Sequence, residues 1–489
     1  MIFNSLTFLL FFVAVFLIYW FPLKNTTRGQ NIFLLLASYF FYGYANWKML
    51  PLLIVVTLIF YYLGKSIAGA KSEKQGYWLT FAGVALGVGA LLYFKYFNFF
   101  IESFASLFNA VGLHANLHTF NIIMPLGISF FTFRLLSYII DIYRGKGKPT
   151  DDIIAFGTYV AFFPCILSGP IDRPAFIKQL QAKREFSYDQ AVDGCRQILW
   201  GMFKKIVVAD NCAIYVDQVW GDIAHQSGST LVLAAILYSF QMYADFSGYS
   251  DMAIGVGKLI GFKIAKNFNY PFFALNVADF WRRWHMSLTS WLTDYVFMPL
   301  NIKFRDWGNW GMILAIIINM VVVGMWHGAN WTFAVFGLYH GLLFVPLILS
   351  GAFFKKAKLE TNKLGLPVLK DFGRIVLTFM LVTIGLMIFR ADNVPHVWEY
   401  VKGMMQFGSL RASYRFFMPN EYLVYPMNMY IIFMIIVEWI QRDKQHGLVV
   451  SQNSSIVWLK WLRIVFYYAL IFMILASIGG EKSFIYFQF

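Results

Sequence analysis

Residues 231–256 read LVLAAILYSFQMYADFSGYSDMAIGV, and the fold turns on how this stretch is understood. At 1.5 Å per residue a helix of this length exceeds the roughly 30 Å hydrocarbon core of a bilayer. It contains no Lys or Arg, and its only formal charges are Asp245 and Asp251. An ionisable group at membrane depth costs a few kcal/mol even on lenient scales, so where such groups occur they normally face a sheltered interior. The segment therefore reads as a crossing helix with a polar inner face. Asp245 and Asp251 are six residues apart, too far to share one narrow helical stripe, and Gly248 between them allows close packing or a kink.

The surrounding 489 residues agree with a membrane setting. The chain is 59% apolar, 20% aromatic and only 13% charged, about half the charge of an ordinary soluble domain. That excludes a disordered chain and a soluble globular enzyme. The net charge of +15 marks cytoplasmic loops before it marks a ligand. A nucleic-acid partner is not expected, since no soluble basic and aromatic module is present. Cys165, Cys195 and Cys212 are odd in number and show no CxxC spacing, so neither a disulfide framework nor a zinc site is expected. No bound metal or cofactor is expected either.

Apolar runs recur at Leu6–Trp20, Asn31–Trp47, Pro51–Leu63, Tyr77–Phe97, Ile122–Ile142, Ile198–Val216, Met312–Met325, Phe333–Leu349, Ile375–Phe389, Tyr422–Ile440 and Leu459–Ile478. At about 20 residues per span, the expected fold is an all-α polytopic membrane protein with about 11–13 transmembrane helices. It is treated as a single domain, 1–489, with no internal repeat. Lys24 and Arg28, Lys65 to Lys74, Arg144 to Lys148, Lys258 to Lys266, Lys355 to Lys358, and Arg442 with Lys444 mark the cytoplasmic ends. Both termini then fall outside, and the first apolar run reads as a retained span. Ile153–Gly169 breaks the alternation, because both its flanks are basic and it holds Pro164 and Pro170. It reads as a re-entrant hairpin, which survives at membrane depth only where protein or a water-filled cavity shelters it.

Two further polar clusters lie in apolar surroundings. One is Asp279-Phe-Trp-Arg282-Arg283-Trp284-His285-Met-Ser287, inside the mixed aromatic stretch Tyr270–Leu300. The other is Gly324-Met-Trp326-His327-Gly328-Ala-Asn330-Trp331, placed at the turn of a hairpin. A plain structural reading pairs Asp245 or Asp251 with Arg282 or Arg283 to lower the burial cost. The other histidines, at 114, 118, 225, 340, 396 and 446, read as structural or solvated. Cys165 reads as an inert buried thiol.

These clusters resemble the membrane-bound O-acyltransferase family. The resemblance is carried by MPLGISFFTFRLLSYIIDIYRG (124–145), FFPCILSGPIDR (162–173), GMFKKIVVADN (201–211), YADFSGYSDMAIG (243–255), WRRWHMSLTSWLTDYVFMPL (281–300) and GMWHGANWTFAVFGLYHG (324–341), in that order. In detail they resemble the branch of alginate and peptidoglycan O-acetyltransferase membrane subunits. The resemblance implies a helical bundle around a central tunnel or funnel. It implies His327 as the catalytic histidine and His285 as the second essential polar position. Asp245, Tyr249, Asp251, Arg282, Arg283, Trp284, Trp326 and Asn330 become candidate substrate or tunnel residues. The donor is expected to be a cytoplasmic acetyl thioester, acetyl-CoA. A periplasmic or extracellular SGNH-type acyltransferase is the expected partner, a polysaccharide the acceptor, and the bacterial cytoplasmic (inner) membrane the location. The ending FIYFQF (484–489) resembles an aromatic tail motif in which Tyr486 would relay the acyl group. The alternative is a strip of aromatics docking at the membrane surface.

Neutral imidazole suits this chemistry, because attack by a hydroxyl on a thioester needs a base that works near neutral pH. The tetrahedral oxyanion needs a donor, for which Asn330, the Trp326 indole and His285 are candidates by type. D-alanyl transfer to teichoic acid from a carrier-protein thioester is the nearest alternative. An anion transporter is the alternative from another class.

Overall fold

The computed structural model describes residues 1–113, 119–408, 427–449, 457–479 and 484–485. Among them the protein is helical, and the only β pairing is a single bridge between Thr361 and Pro367. Five helical runs are long and apolar enough to cross a bilayer: Thr27–Ala68, Glu73–Ala110, Arg305–His327, Trp331–Leu349 and Leu369–Arg390. Leu6–Trp20, Met427–Ile440 and Trp461–Ala476 are shorter apolar helices. Many large apolar side chains on these helices are exposed, among them Leu10, Leu36, Phe81, Leu377 and Phe472. Such a surface suits lipid, which solvates apolar groups without cost. The chain is a polytopic α-helical membrane protein.

Read from sequence as one domain, the chain forms two compact units. One comprises 1–194 with 256–265, and the other comprises 195–255 with 266–489. In the first unit, the segment expected to be re-entrant is a nine-residue helix, Ile153–Ala161, followed by irregular chain through Pro164 and Pro170. Nine residues rise only about 14 Å, half a bilayer. The buried Arg134 guanidinium caps this broken end, donating from Nη1 to the carbonyls of Tyr159 (3.3 Å) and Val160 (3.0 Å). These are carbonyls that a helix terminus leaves without partners, and a cation belongs at that negative end. Cys165 is buried in the same turn. The unit also holds a cleft of about 1140 Å³ whose rim includes Arg28, Lys146, Lys148, Arg173 and Lys178, a charge expected of cytoplasmic loops.

In the second unit, the end of the helix Tyr188–Met202, from residue 195 on, runs through a π-helical segment, Phe203–Ala209, into Asp210–Trp220. This run is much longer than the apolar core at 198–216. The opening stretch of sequence lies in the 32-residue helix Gly228–Leu259. Gly201 and Gly248 let these two runs touch, since a Cβ on either would meet the other's backbone oxygen at under 3 Å. The mixed stretch 270–300 resolves into short pieces: Pro271–Phe273, Val277–Trp281, Met286–Leu292, the π-helical Thr293–Phe297 and Met298–Lys303. Neither a long span nor a simple loop, it breaks at every polar cluster.

Candidate active site

The expected hairpin turn starts later than the sequence suggested. Trp326 and His327 are the last two residues of the helix Gly308–His327, and the turn begins at the extended Gly328. The next helix, Trp331–Leu349, packs against this one so closely that a Cβ on Gly324 would overlap the Phe333 carbonyl oxygen. That packing fixes the His327 ring, which is 6% exposed. Its walls are aromatic: Trp326 at 5.0 Å, Phe389 at 5.1 Å and Phe336 at 6.5 Å between ring centroids.

His285 reaches the same enclosure from elsewhere in the second unit. It occupies the left-handed region (φ 44°) just before the helix Met286–Leu292. A non-glycine residue there is strained and is held only by its surroundings. Those surroundings centre on Asn267. Its carbonyl accepts the Met286 N–H at 2.8 Å, and its Oδ1 accepts the Ser287 Oγ–H at 2.8 Å and the Ser287 N–H at 3.2 Å. His285 Nδ1 lies 3.1 Å from the same Oδ1. Because a backbone N–H already needs that atom as acceptor, Nδ1 is the protonated nitrogen and Nε2 carries the lone pair. The Asn267 amide is oriented in turn by donating to Ser250 Oγ at 3.2 Å. The His285 ring is fully buried, edge-on to Phe246 (4.6 Å) and Trp326 (5.6 Å), and its centroid is 6.3 Å from that of His327.

Two histidines 42 positions apart thus meet in an aromatic enclosure free of formal charge on the contacts named. A third, His340, is buried one layer out. It accepts the Trp281 indole N–H at 3.3 Å and packs on Phe336 at 4.7 Å. Its position in an apolar helix gave no hint of this. His446 is buried as well, accepting the Leu448 N–H. His225 is an exposed loop residue whose Nδ1 lies 2.6 Å from Asp222 Oδ1, a hydrogen bond that raises its pKa. His114, His118 and the proposed relay Tyr486 lie outside the described residues, as does the start of the Tyr422–Ile440 run.

The remaining candidates divide. Trp284 is buried among Phe268, Phe280 and Tyr243 as part of the aromatic packing. Arg282 is exposed, with Nε on the Ala278 carbonyl, and Arg283 pairs with Asp279 at 3.0 Å. Asn330 caps the helix Trp331–Leu349, its Oδ1 accepting the Thr332 N–H while its Nδ2 donates to the Asp392 carbonyl. Both ends of its amide are therefore used by the backbone.

The expected pairing of Asp245 or Asp251 with Arg282 or Arg283 does not occur. Asp245 instead sits 2.6 Å from Lys205, and Asp251 sits 2.6 Å from Lys204. Both lysines are buried on the π-helical segment. Lys205 also pairs with Asp210 at 2.9 Å, and Lys204 donates to Ser247 Oγ at 2.9 Å. Gln197 donates to Asp251 Oδ1 at 2.7 Å, and the buried Glu438 accepts the Tyr243 hydroxyl at 2.8 Å. The signal for the lysines was present as two cations in an otherwise apolar run. Glu438 carried the same signal, as the lone carboxyl in the apolar helix Met427–Ile440. The tail enters this cluster: Phe484 and Ile485 are buried, so this part of the tail is not laid along a surface.

The profile of the membrane-bound O-acyltransferase family, MBOAT, matches residues 39–389. A probable alginate O-acetylase, AlgI, of Azotobacter vinelandii is 36% identical over 84% of this chain and 80% of its own length. A peptidoglycan O-acetyltransferase of Helicobacter pylori is 29% identical over 100% of this chain and 98% of its own. A teichoic acid D-alanyltransferase of Bacillus subtilis is 32% identical over 56% of this chain and 71% of its own. With the family profile covering the histidine enclosure and most of the chain around it, the protein belongs to the membrane-bound O-acyltransferase family and is an acyltransferase.

Proposed function

We propose that this enzyme takes an acetyl group from a cytoplasmic thioester, acetyl-CoA, and passes it across the membrane for O-acetylation of a cell-envelope or exported polysaccharide. The observation that carries the reading is the pairing of His285 and His327 in one aromatic enclosure, 6.3 Å between ring centroids. In the reaction, His327 accepts the hydroxyl proton as the hydroxyl oxygen attacks the thioester carbonyl carbon. The carbon–sulfur bond then breaks, and the imidazolium returns the proton to the leaving thiolate. An O-acetyl ester and a free thiol result, with no net proton released. His285, held by Asn267 with its Nε2 as acceptor, positions the attacking hydroxyl. The Trp326 indole, its ring centroid 5.6 Å from that of His285 and 5.0 Å from that of His327, supplies the donor for the oxyanion.

The first hydroxyl to be acetylated is the phenol of Tyr486, and an SGNH-type partner outside the membrane carries the group onward to the polysaccharide. Support for a carrier tail comes from Ile485, which immediately precedes Tyr486 and whose N–H is hydrogen-bonded to Asp245 at 2.8 Å. The alginate and peptidoglycan relatives match more of this chain than the D-alanyltransferase does, which favours acetyl over D-alanyl. The deciding assay offers the purified protein radiolabelled acetyl-CoA or a D-alanyl carrier protein. Label incorporated from acetyl-CoA alone fits the proposal, and label from the carrier protein alone replaces it with D-alanyl transfer. Coupled anion flux without acyl product would make the protein a transporter.

A further inference from the structure

The acyl-carrier reading explains why the tail must reach the interior but not what holds it there. We infer that Lys205 and Asp245 form a seat that binds the chain's own C-terminal tail and positions it for acylation; the inference rests on the carrier reading only for its catalytic consequence.

Three contacts converge on the two described tail residues. The Ile485 N–H donates to Asp245 Oδ2 at 2.8 Å. The Lys205 ammonium lies over the Phe484 ring, 4.5 Å from its centroid, within the range of a cation–π attraction that strengthens when desolvated. Tyr249, one helical turn beyond Asp245, meets the same ring edge-on at 4.8 Å. Phe484 is 1% exposed, so this is a socket rather than a surface strip.

The two carboxylate oxygens of Asp245 do different work. Oδ1 faces Lys205 at 2.6 Å and neutralises it, and Lys205 is further paired with Asp210. Oδ2 is turned to the tail. When the tail leaves, Lys205 and Asp245 stay paired, so neither is left at depth as a bare ion. Such a site can bind and release. An ion pair meant only to join two helices would have no need to hold one oxygen toward a segment 240 positions away. The π-helical segment supports the same view, since this geometry recurs at functional sites and here it presents Lys205.

The seat is also connected to the enclosure. Phe246, adjacent to Asp245 on the same helix, packs against His285 at 4.6 Å. Docking Ile485 thus fixes the residue before Tyr486 on the helix that walls the histidine pair. Recognition of a backbone N–H is indifferent to side chain, so selectivity for the tail falls to the Phe484 ring.

The test is Ile485→Pro, which deletes the donated N–H, compared with Ile485→Ala, which keeps it. Purified proteins in nanodiscs are exposed to a carboxypeptidase, and release of tail residues is followed by mass spectrometry. Acetylation of Tyr486 from acetyl-CoA is measured separately. The inference expects trimming at least tenfold faster in Ile485→Pro than in either the wild type or Ile485→Ala, at least tenfold lower kcat with unchanged KM for acetyl-CoA in Ile485→Pro, and an unchanged melting temperature. A proline tail as protected as wild type overturns the seat, as does a wild-type tail trimmed without protection. Faster trimming with unaltered acetyl transfer upholds the seat and overturns the carrier reading.

Discussion

Two buried polar regions of the second unit differ in how they meet the cost of burial. The histidine enclosure holds His285 and His327 among aromatic rings, with His340 one layer out; Asn267, beside His285, and the Trp281 indole, beside His340, are neutral groups. The neighbouring cluster holds Lys204, Lys205, Asp245, Asp251 and Glu438, and joins Lys204 to Asp251 and Lys205 to Asp245 as ion pairs at 2.6 Å. A base must be able to gain and lose a proton, and a fixed charge at contact distance would bias that exchange. An anchor has the opposite need, and benefits from charges that stay. On the proposed reading, the charged cluster is where segments are held and the imidazole pair is where protons move.

That division can be broken or sharpened by substitution. The largest effect is expected for His327→Ala, which should lower acetyl transfer by about 10²–10⁴-fold, the usual worth of a positioned base, with the protein still folded in the membrane. Single-turnover transfer from labelled acetyl-CoA checks it. Next comes Lys204→Met. It strands Asp251, and breaking a buried pair costs about 3–5 kcal/mol. Thermal unfolding in detergent should show this as lost stability, with activity falling only as folded protein is lost. If Lys204→Met instead abolished transfer at full stability, the charged cluster would be part of the chemistry and the comparison would fail.

A smaller effect is expected for Asn267→Ala, which removes the acceptor that orients His285. Leaving such buried donors without a partner costs ~1–3 kcal/mol, so transfer should fall about tenfold to a hundredfold. Asn267→Asp keeps an acceptor at the same place and should recover part of the loss. The smallest effect is expected for Arg282→Ala. The side chain is exposed, and such substitutions usually stay within about 0.5 kcal/mol. Unchanged kinetics would confirm that Arg282 lies outside the enclosure.

The sequence made some of this legible and hid the rest for physical reasons. The Leu6–Trp20 helix has the bounds its apolar run suggested, because a continuous apolar run begun by the Ser5 cap is specified by local sequence. The helix break at Phe162 was legible because prolines act locally. The partners of Asp245 were not, since opposite charges attract whichever one the fold brings near. Arg282 and Arg283 were nearer in sequence, but the Gly201–Gly248 contact delivers Lys204 and Lys205 instead. Asn330 looked like an oxyanion donor by type, yet its position before Trp331 made it a helix cap, a role Asn commonly takes. Asn267, which sets the His285 tautomer, lies in irregular chain with no periodic signal at all.

The central claim is that the His327 imidazole moves the proton when an acyl group leaves a thioester. It is tested most directly by incubating wild-type and His327→Ala protein with labelled acetyl-CoA and reading the C-terminal peptide by mass spectrometry. The account predicts an acetylated Tyr486 in the wild type and none in the variant. Equal acetylation of both would contradict it.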